Sequence, residues 1–245
     1  MEDIRIHKYI ADAGIMSRRQ AEEAIKRGEI KVNGERAEIG MKIDPLTDTL
    51  EYKGKIIKKE RTHNTYIMLH KPVGYVTTMS DERGRPTVKE LTDDVGVRVY
   101  PVGRLDLESE GLLLLTNDGE LANRLTHPRH EIPKYYNVTV KGAVTLLQRK
   151  KLASAMEIDG YTIRPVKNEV VSMSDEQTVL RLELYEGRNR QIRKMCEKVD
   201  LTVLKLKRIA IGNISLGNLK PGTWRKLSKE QIDYLKTSCG MRKGR

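Results

Sequence analysis

The chain has 245 residues, of which 38% are hydrophobic and 33% are charged, so it is long enough for one or two domains with apolar cores. No apolar run approaches the ~18 residues that a membrane-spanning helix needs, and the first residues lack the apolar centre of a secretion signal. The two cysteines, Cys196 and Cys239, have no metal-ligand spacing and predict no disulfide framework. We therefore expect a cytoplasmic protein without a metal site.

The net charge of +12 is concentrated near the end of the chain. Residues 181–245 hold 17 Lys and Arg against 6 Asp and Glu, whereas residues 1–60 hold 13 against 12 and residues 61–180 hold 16 of each. A charge that serves only solubility could be spread anywhere, so this concentration indicates a surface that faces a polyanion. A solvated tail explains only residues 241–245, because the other basic residues alternate with apolar ones.

The first part of the chain has the pattern of two helices followed by a hairpin. Ser17 and Gln20 form the capping-box pattern that begins the second helix. That helix has a basic face, for which a solvated surface is the simplest explanation and RNA contact the alternative. The predicted elements are helices over residues 4–13 and from residue 17 onward, and strands over residues 29–32 and 35–37 joined by a tight turn.

A polar, Lys-rich stretch separates this unit from the rest of the chain. Residues 51–64 predict a last strand followed by a linker, and an apolar strand over residues 66–70 then begins the second domain. The Lys-Pro-Val-Gly-Tyr corner at residues 71–75 has a sufficient structural explanation as a strand end. The predicted domains are residues 1–60 with the linker, residues 61–240, and a basic tail of residues 241–245.

The second domain is organised around the stretch from residue 103 to residue 119. A loop that holds Arg104 and Asp106 runs into four consecutive leucines at residues 112–115, which have the length of a buried strand. The local pattern alone favours a structural Asp106 that pairs with Arg104 or caps a turn. A carboxylate on a short loop tied to a rigid strand is also, however, how reactive groups are commonly held.

The remaining pattern alternates short strands with helices. The predicted elements are a helix at residues 87–91, a helix at 120–126 capped by Asn117 or Asp118, a strand at 134–140, a helix at 146–155, paired strands at 162–171 and 178–184, closing strands within 201–227, and a last helix from Ser228. Residues 99–102 lead into the loop that holds Asp106. After Gly187 we predict a helix with four basic side chains, which by itself favours nucleic-acid contact: Arg188, Arg190, Arg193 and Lys194.

Three motifs resemble the RsuA-type family of ribosomal RNA pseudouridine synthases. They are Gly-Arg-Leu-Asp followed by Gly-Leu-Leu-Leu-Leu-Thr-Asn-Asp-Gly at residues 103–119, Glu-Gly-Arg-Asn-Arg-Gln-Ile-Arg-Lys-Met at residues 186–195, and a helix-helix-hairpin pattern at residues 1–50 that resembles the alpha-L RNA-binding module. The resemblance implies an α+β fold. It consists of a small N-terminal helix-helix-hairpin RNA-binding module and a larger, mainly antiparallel mixed-sheet pseudouridine synthase catalytic domain flanked by helices.

The resemblance also implies roles for individual residues. Asp106 is expected to be the catalytic residue, paired with the basic Arg193, and Tyr136 is expected to lie over the target base. Arg104 is expected to fill the space that a flipped base vacates or to hold a neighbouring phosphate. The other expected RNA contacts are Arg18, Arg19 and Lys26 in the small module, and Arg188, Arg190 and Lys194 in the catalytic domain.

Pseudouridine formation breaks the bond between uracil N1 and ribose C1′ and rejoins the ring through C5. It requires no redox step and no phosphate transfer, so we expect no cofactor and no metal. The residues are compatible with attack of Asp106 on the sugar, with its attack on the uracil ring, and with a glycal route. The expected substrate is ribosomal RNA, 23S rather than 16S, and the expected protein is a monomer without a membrane partner.

Two other functions fit parts of the pattern. A binding-only ribosome assembly factor would need the RNA-binding module, but it would need neither Asp106 nor Arg193. A nuclease would need a metal cluster, and a glycosidase would need a second carboxylate opposite Asp106. Glu108 and Glu110 are close to Asp106 in sequence, but nothing in the pattern positions either of them opposite it.

Overall fold

The computed structural model describes residues 3–57 and 63–241. The contacts between residues divide the chain into two compact units, Met1–Asn64 and Thr65–Arg245. The predicted linker falls partly on residues 58–62, and most of the predicted basic tail on residues 242–245, which lie outside the described residues. Within the described part, no helix has the length and apolar character needed to cross a membrane.

The first unit is a pair of helices on small antiparallel sheets. Its helices are α1, Ile6–Asp12, and α2, Arg18–Lys26; its strands are β1, Ile4–Arg5, β2, Ile30–Val32, β3, Glu35–Arg36, β4, Lys42–Ile43, β5, Leu50–Tyr52, and β6, Lys55–Ile56. The strands form one sheet in the order β3-β2-β5-β6 and a separate β1-β4 pair. The apolar sides of the helices and strands share one core, in which Ile10, Ala21 and Ile30 are fully buried.

The capping box predicted for α2 is present. Ser17 Oγ accepts a hydrogen bond from the Gln20 N–H at 3.2 Å, and Gln20 Oε1 accepts one from the Ser17 N–H at 2.9 Å. The first helix is shorter than predicted, because its first two predicted residues pair with β4 as β1. The last predicted strand is a hairpin, because Lys53 and Gly54 take positive φ angles of 50° and 75° and turn the chain back.

The second unit is built on one mixed sheet of nine strands. Its helices are α3, Gly119–Thr126, α4, Leu146–Ala153, α5, Gln191–Glu197, and α6, Lys229–Ser238. Its strands are β7, Tyr66–Lys71, β8, Tyr100–Val102, β9, Glu110–Thr116, β10, Lys134–Lys141, β11, Met156–Ile158, β12, Tyr161–Ile163, β13, Lys167–Met173, β14, Gln177–Leu184, β15, Val203–Ile211, β16, Ile214–Ser215, and β17, Trp224–Lys226.

The strand order is β13-β14-β10-β15-β9-β7-β17, with β16 on β15 and β8 on β9, while β11 and β12 form a separate hairpin. Of the pairs in this sheet, only β9 with β15 is parallel. The predicted α+β fold, with its small N-terminal module and its mainly antiparallel mixed sheet, is therefore confirmed.

The leucine run of β9 is buried on both faces of the sheet. Leu113 and Leu115 point into one core, and Leu112 and Leu114 point into the other, as the alternation of strand side chains requires. Helix α3 covers the second face with Leu121, and α6 covers it as well. The leucines of β9 are consecutive because each face of this strand packs into a separate core.

Gly111 allows β9 and β15 to approach each other. Its φ angle is +114°, and a Cβ at this position would lie 2.2 Å from the carbonyl oxygen of Arg208 on β15. Only glycine fits such a close backbone approach without displacing a strand. Gly111 therefore allows β9, the strand that follows the predicted catalytic loop, to pair with β15.

Three predicted elements of this unit differ from the structure. Residues 87–91 form turns because the Thr87 N–H bonds to Glu90 Oε1 at 2.9 Å and residue 87 bridges to Val76. The strand predicted over residues 162–171 is divided at Pro165 into β12 and β13. Helix α5 begins only at residue 191, so Arg188 and Arg190 lie in the loop before it.

Candidate active site

Asp106 lies on the loop between β8 and β9, beside a cleft of about 70 Å³. Exposed arginines surround the cleft, with Arg104 from the same loop and Arg188 and Arg190 from the loop before α5. Tyr136 on β10 contributes an aromatic wall. The structure thus brings together five of the predicted site residues, although they are up to 86 positions apart in the sequence.

The backbone of the Asp106 loop is held by a lysine that the sequence analysis treated only as part of a structural corner. Lys71 is completely buried at the end of β7, and its Nζ donates hydrogen bonds to three carbonyl oxygens, those of Pro72 at 2.9 Å, Asp106 at 3.1 Å and Ser109 at 2.8 Å. Burial lowers the pKa of Lys71 to about 8, and the nearby Asp106 charge opposes this shift. The ammonium ties both ends of the loop to one strand.

A threonine holds the residue just before Asp106. Thr77 Oγ1 donates to the carbonyl oxygen of Leu105 at 2.7 Å and accepts from the Leu105 N–H at 3.2 Å. The loop also closes on itself, because the Ser109 N–H donates to the Asp106 carbonyl oxygen at 3.0 Å. With these bonds, the position of the Asp106 backbone is fixed on both sides.

The predicted ion pair between Asp106 and Arg193 is not formed. Arg193 Nη2 donates to the carbonyl oxygen of Glu108 at 3.0 Å, and its Nε lies 3.6 Å from Glu108 Oε2. Arg190 Nη1 binds the same carboxylate at 2.9 Å. The loop turns after Asp106, so Glu108 rather than Asp106 meets α5, and no described residue ion-pairs with the Asp106 carboxylate or hydrogen-bonds to it.

Asp106 nevertheless lies in a positive environment. It contributes an electrostatic interaction that raises the pKa of Arg190, after the larger contributions of Glu108, and one that raises the pKa of the buried Lys71. The cationic neighbour that the sequence analysis assigned to Arg193 is therefore supplied, in this structure, by Arg190 and Lys71.

A second buried cation supports the aromatic wall. Arg208 on β15 is only 4% exposed, and its Nε donates to the Leu112 carbonyl oxygen at 2.7 Å. Its Nη1 lies 3.4 Å from the Arg104 carbonyl oxygen and 3.5 Å from the Tyr136 hydroxyl, and its guanidinium carbon is 6.0 Å from the centre of the Tyr136 ring. Arg208 thus connects β9, the Asp106 loop and Tyr136.

Lys194 and Arg188 are engaged with a hairpin at the side of the cleft. The Lys194 ammonium forms an ion pair with Asp159 in the β11–β12 turn. The Arg188 guanidinium carbon lies 4.0 Å from the centre of the Tyr161 ring on β12. Of the basic residues predicted to contact RNA in this domain, Lys194 and Arg190 are therefore in ion pairs, with Asp159 and Glu108 respectively. Arg104 and Arg188 are exposed at the cleft.

The basic face of the small module has the predicted form. Arg18, Arg19 and Lys26 are all exposed on α2, and Ala21, Ala24 and Ile25 bury its opposite side. None of the three basic side chains has an ion-pair partner among the described residues. Their role in RNA binding stays a prediction.

Sequence reasoning missed Lys71, Thr77 and Arg208, although a signal existed for two of them. Lys71 continues the apolar run of β7, and every residue of that strand is buried. Arg208 is two positions after the buried Leu206, so strand alternation directs it to the same face of the sheet. A charged residue at an inward strand position is rare enough to indicate a specific task.

A roomier groove of about 800 Å³ lies elsewhere on the sheet, between α4 and strands β10, β13, β14 and β15. It contains none of the predicted site residues. Its acidic residues are already paired, Glu169 with Arg181 at 2.9 Å and Glu183 with Lys167 at 3.6 Å. Its size alone therefore gives it no catalytic chemistry. Among the described residues, no group of three or more His, Cys, Asp and Glu is arranged to hold a metal ion.

Comparison with known proteins identifies both units. The family model described as RNA pseudouridylate synthase matches residues 65–198, and that of the S4 domain matches residues 4–47. An uncharacterized RNA pseudouridine synthase of Aquifex aeolicus (strain VF5) is 41% identical over 244 residues, which are 99% of this chain and 97% of that protein. A solved structure described as that of a pseudouridylate synthase is 30% identical, with a TM-score of 0.67, and the match covers 95% of this chain and 99% of that one.

Two named relatives are similar over almost the whole chain. The ribosomal large subunit pseudouridine synthase B of Bacillus subtilis (strain 168) is 39% identical over 95% of both chains. The dual-specificity RNA pseudouridine synthase of Escherichia coli (strain K12) is 36% identical over 94% of this chain and 77% of that protein. The resemblance seen in the sequence is thereby confirmed, and the chain belongs to the RNA pseudouridylate synthase family, in its RsuA-type branch with an N-terminal S4 domain.

Proposed function

We propose that this pseudouridine synthase modifies a uridine of ribosomal RNA, in the 23S RNA of the large subunit, and that it works as a monomer in the cytoplasm. The name of the Bacillus subtilis relative supports the large-subunit target. The observation that carries the proposal is the Asp106 carboxylate at the cleft, which has no partner among the described residues and has arginines on several sides.

In this proposal, Asp106 acts on the uridine while the N1–C1′ bond breaks. The uracil turns within the cleft, C5 bonds to C1′, and the hydrogen of C5 is lost while N1 gains one, so the base and the ribose keep all their other atoms. A carboxylate that has no hydrogen bond to break is ready for this step. Lys71 and Thr77 keep its loop in place during the rearrangement.

The target base must first leave its stack, at a cost of a few kcal/mol. Tyr136 on the wall of the cleft offsets part of this cost if it stacks on the extruded uracil, which is worth roughly 1–3 kcal/mol. The cleft is narrow, so the exposed side chains of Arg104 and Arg188 must move aside as the nucleotide enters. In doing so they become available to the neighbouring phosphates.

The small module extends the RNA contact. Its helix α2 presents Arg18, Arg19 and Lys26 to solvent, which suits phosphates of structured RNA. Contacts of this kind orient a protein without reading bases, so target choice is left to the catalytic domain.

The test is to incubate the protein with 16S and 23S transcripts and to map pseudouridine chemically, beside Asp106→Asn. The proposal expects one modified uridine in 23S RNA with the wild type and none with the variant, while RNA affinity is largely kept. Asp175→Asn is the matched control, because Asp175 is exposed in the turn after β13, away from the cleft, and this variant should be fully active.

The other outcomes discriminate between functions. Binding of both transcripts without modification supports an assembly factor instead. Release of free uracil or strand cleavage supports a hydrolase. A modified uridine in 16S RNA alone corrects the target and leaves the activity, whereas full activity of Asp106→Asn removes the assigned role of the carboxylate.

A further inference from the structure

Among the residues that the structure describes, Tyr161 is the most exposed tyrosine. It is 55% exposed, whereas Tyr185, the other exposed tyrosine, is 38% exposed and directs its hydroxyl to Glu183. The chain contains no phenylalanine and one tryptophan, and the indole N–H of Trp224 donates to Asp94 at 2.7 Å. An exposed aromatic ring at a protein surface is the usual form of a stacking platform for single-stranded RNA.

The ring is held in a rigid position. It begins β12, directly after a tight turn in which Asp159 and Gly160 take φ angles of 52° and 76°. Ile158 and Ile163 of this hairpin are buried in the core, and the Asp159 carboxylate is ion-paired with Lys194 of α5. The hairpin therefore cannot swing freely, and an exposed ring on it loses little further freedom when it binds a ligand.

Arg188 joins this ring to the cleft. Its guanidinium carbon is 4.0 Å from the centre of the Tyr161 ring, within the range of a cation–π contact, and the same side chain lines the cleft beside Asp106. The Arg188 N–H donates to the buried Gln191 side chain at 3.0 Å, and its Nε lies 3.6 Å from Glu186. Tyr161 is thus one side chain away from the position of the target nucleotide.

We propose that Tyr161 and Arg188 form a second nucleotide subsite, which takes an unpaired RNA base adjacent to the modified uridine. The base stacks on the exposed part of the Tyr161 ring, and Arg188 contacts the phosphate between the two nucleotides. This inference rests on the proposed function for the position of the modified uridine. The exposed Tyr161 ring is present on the hairpin whether or not that function is correct. A protein partner is the other class of ligand for an exposed ring, and the cationic neighbour favours RNA.

The subsite is tested by RNA affinity, without the need for modification. The probes are a 12-nucleotide single-stranded RNA of mixed sequence and an abasic ribose-phosphate oligomer of the same length. Tyr161→Leu should weaken binding of the RNA between about 5-fold and about 150-fold, the range that base–aromatic stacking implies, and should leave binding of the abasic oligomer unchanged. Tyr161→Phe keeps the ring and should bind like the wild type.

Tyr185→Leu is the matched control, since it removes the other exposed tyrosine ring and should bind both probes normally. A second measurement is independent of any loss of fold in the leucine variant. In Tyr161→Trp, the fluorescence at this position should be quenched by the RNA but not by the abasic oligomer, after the contribution of Trp224 is subtracted.

Three results overturn the proposal. Equal weakening on both probes means that Tyr161 only positions Arg188 for phosphates. Unchanged RNA affinity in Tyr161→Leu, or unquenched tryptophan, means that no base stacks there. Base-dependent weakening of the same size in Tyr185→Leu moves the subsite elsewhere. A wild type that shows base-dependent binding yet modifies no ribosomal RNA contradicts the proposed function and leaves the subsite standing.

Discussion

Replacement of Lys71 by methionine removes the clamp on the Asp106 loop while it keeps a side chain of similar length. The wild-type ammonium is fully buried and donates to three carbonyl oxygens, two of which belong to the loop. In Lys71→Met the carbonyls of Pro72 and Ser109 lose this donor, and the Asp106 carbonyl keeps only the N–H of Ser109. We expect the variant to fold less stably and to hold Asp106 less well.

The magnitude follows from two opposing contributions. A hydrogen bond from a charged donor contributes about 1.5–3 kcal/mol, so the loss of the three costs roughly 4.5–9 kcal/mol. Against this, the buried ammonium is itself costly: its pKa falls from 10.5 to about 8, which corresponds to about 3 kcal/mol that the variant no longer bears. The free energy of unfolding should therefore fall by about 3 kcal/mol in Lys71→Met at pH 7.

The pKa of Lys71 also gives a pH dependence with a definite sign. Between about pH 8 and pH 10.5 the unfolded chain still holds a proton that the folded chain has released. The Lys71 contribution to the free energy of unfolding must therefore rise with pH in this window, because the unfolded state binds more protons. Lys71→Met lacks this rise, so the stability gap between the two proteins should widen above pH 8.

Chemical denaturation at pH 7 and pH 10 measures both effects, and single-turnover modification of 23S transcript measures the effect on the site. A loosened loop should slow modification by about 100-fold, as small misplacements of reacting groups do. Lys141→Met is the control, because Lys141 is exposed at the end of β10. A Lys71→Met protein that is as stable and as active as the control would falsify the clamp.

Three further outcomes test the surrounding structure. Gly111→Ala should lower the free energy of unfolding by about 2–5 kcal/mol, because its Cβ meets the backbone of β15. Gly217 has a φ angle of +57° but open space around it, so the control Gly217→Ala should lower the free energy of unfolding by only about 1 kcal/mol. Equal losses in the two variants, measured by chemical denaturation, contradict the steric argument. Glu108→Gln should change the free energy of unfolding by less than about 1 kcal/mol. It should tighten RNA binding and steepen the salt dependence of that binding, because the guanidiniums of Arg190 and Arg193 lose their carboxylate partner and can contact phosphates. An unchanged dependence of RNA affinity on salt refutes this prediction. Arg208→Met should slow modification more than it weakens RNA binding, as measured by a fall in kcat larger than the rise in KM, because it acts through Tyr136 and the loop.

Local features of the fold were predictable because their causes lie within a few residues. The capping box at Ser17 needs only the side chain three positions later, and the same pattern at Ser228 begins the last helix. The leucine run of β9 is apolar over a length that a buried strand explains. For the helix after β9 the pattern left Asn117 and Asp118 open; the structure uses Asp118 as the cap, while Asn117 Oδ1 accepts the N–H of Thr65 at 2.7 Å.

The partners within the site were not predictable, because they are far apart in the sequence. Arg193 meets Glu108 across 85 positions, and Lys71 meets the Asp106 loop across 35. The motif located the right loops but did not specify which carboxylate would turn toward α5. That choice depends on the turn from Asp106 to Ser109, which the residue types alone do not determine.

The cations around the site fall into two groups, those that donate to main-chain carbonyl oxygens and those that pair with a carboxylate. Neither group uses the carboxylate of Asp106. The buried ones, Lys71 and Arg208, donate to main-chain carbonyl oxygens. The more exposed Arg190 uses the carboxylate of Glu108. Carbonyl groups can hold a buried cation without adding a negative charge, so the positive field persists at the cleft. Because Asp106 has no partner among the described residues, no existing bond has to be broken before its carboxylate reaches a uridine.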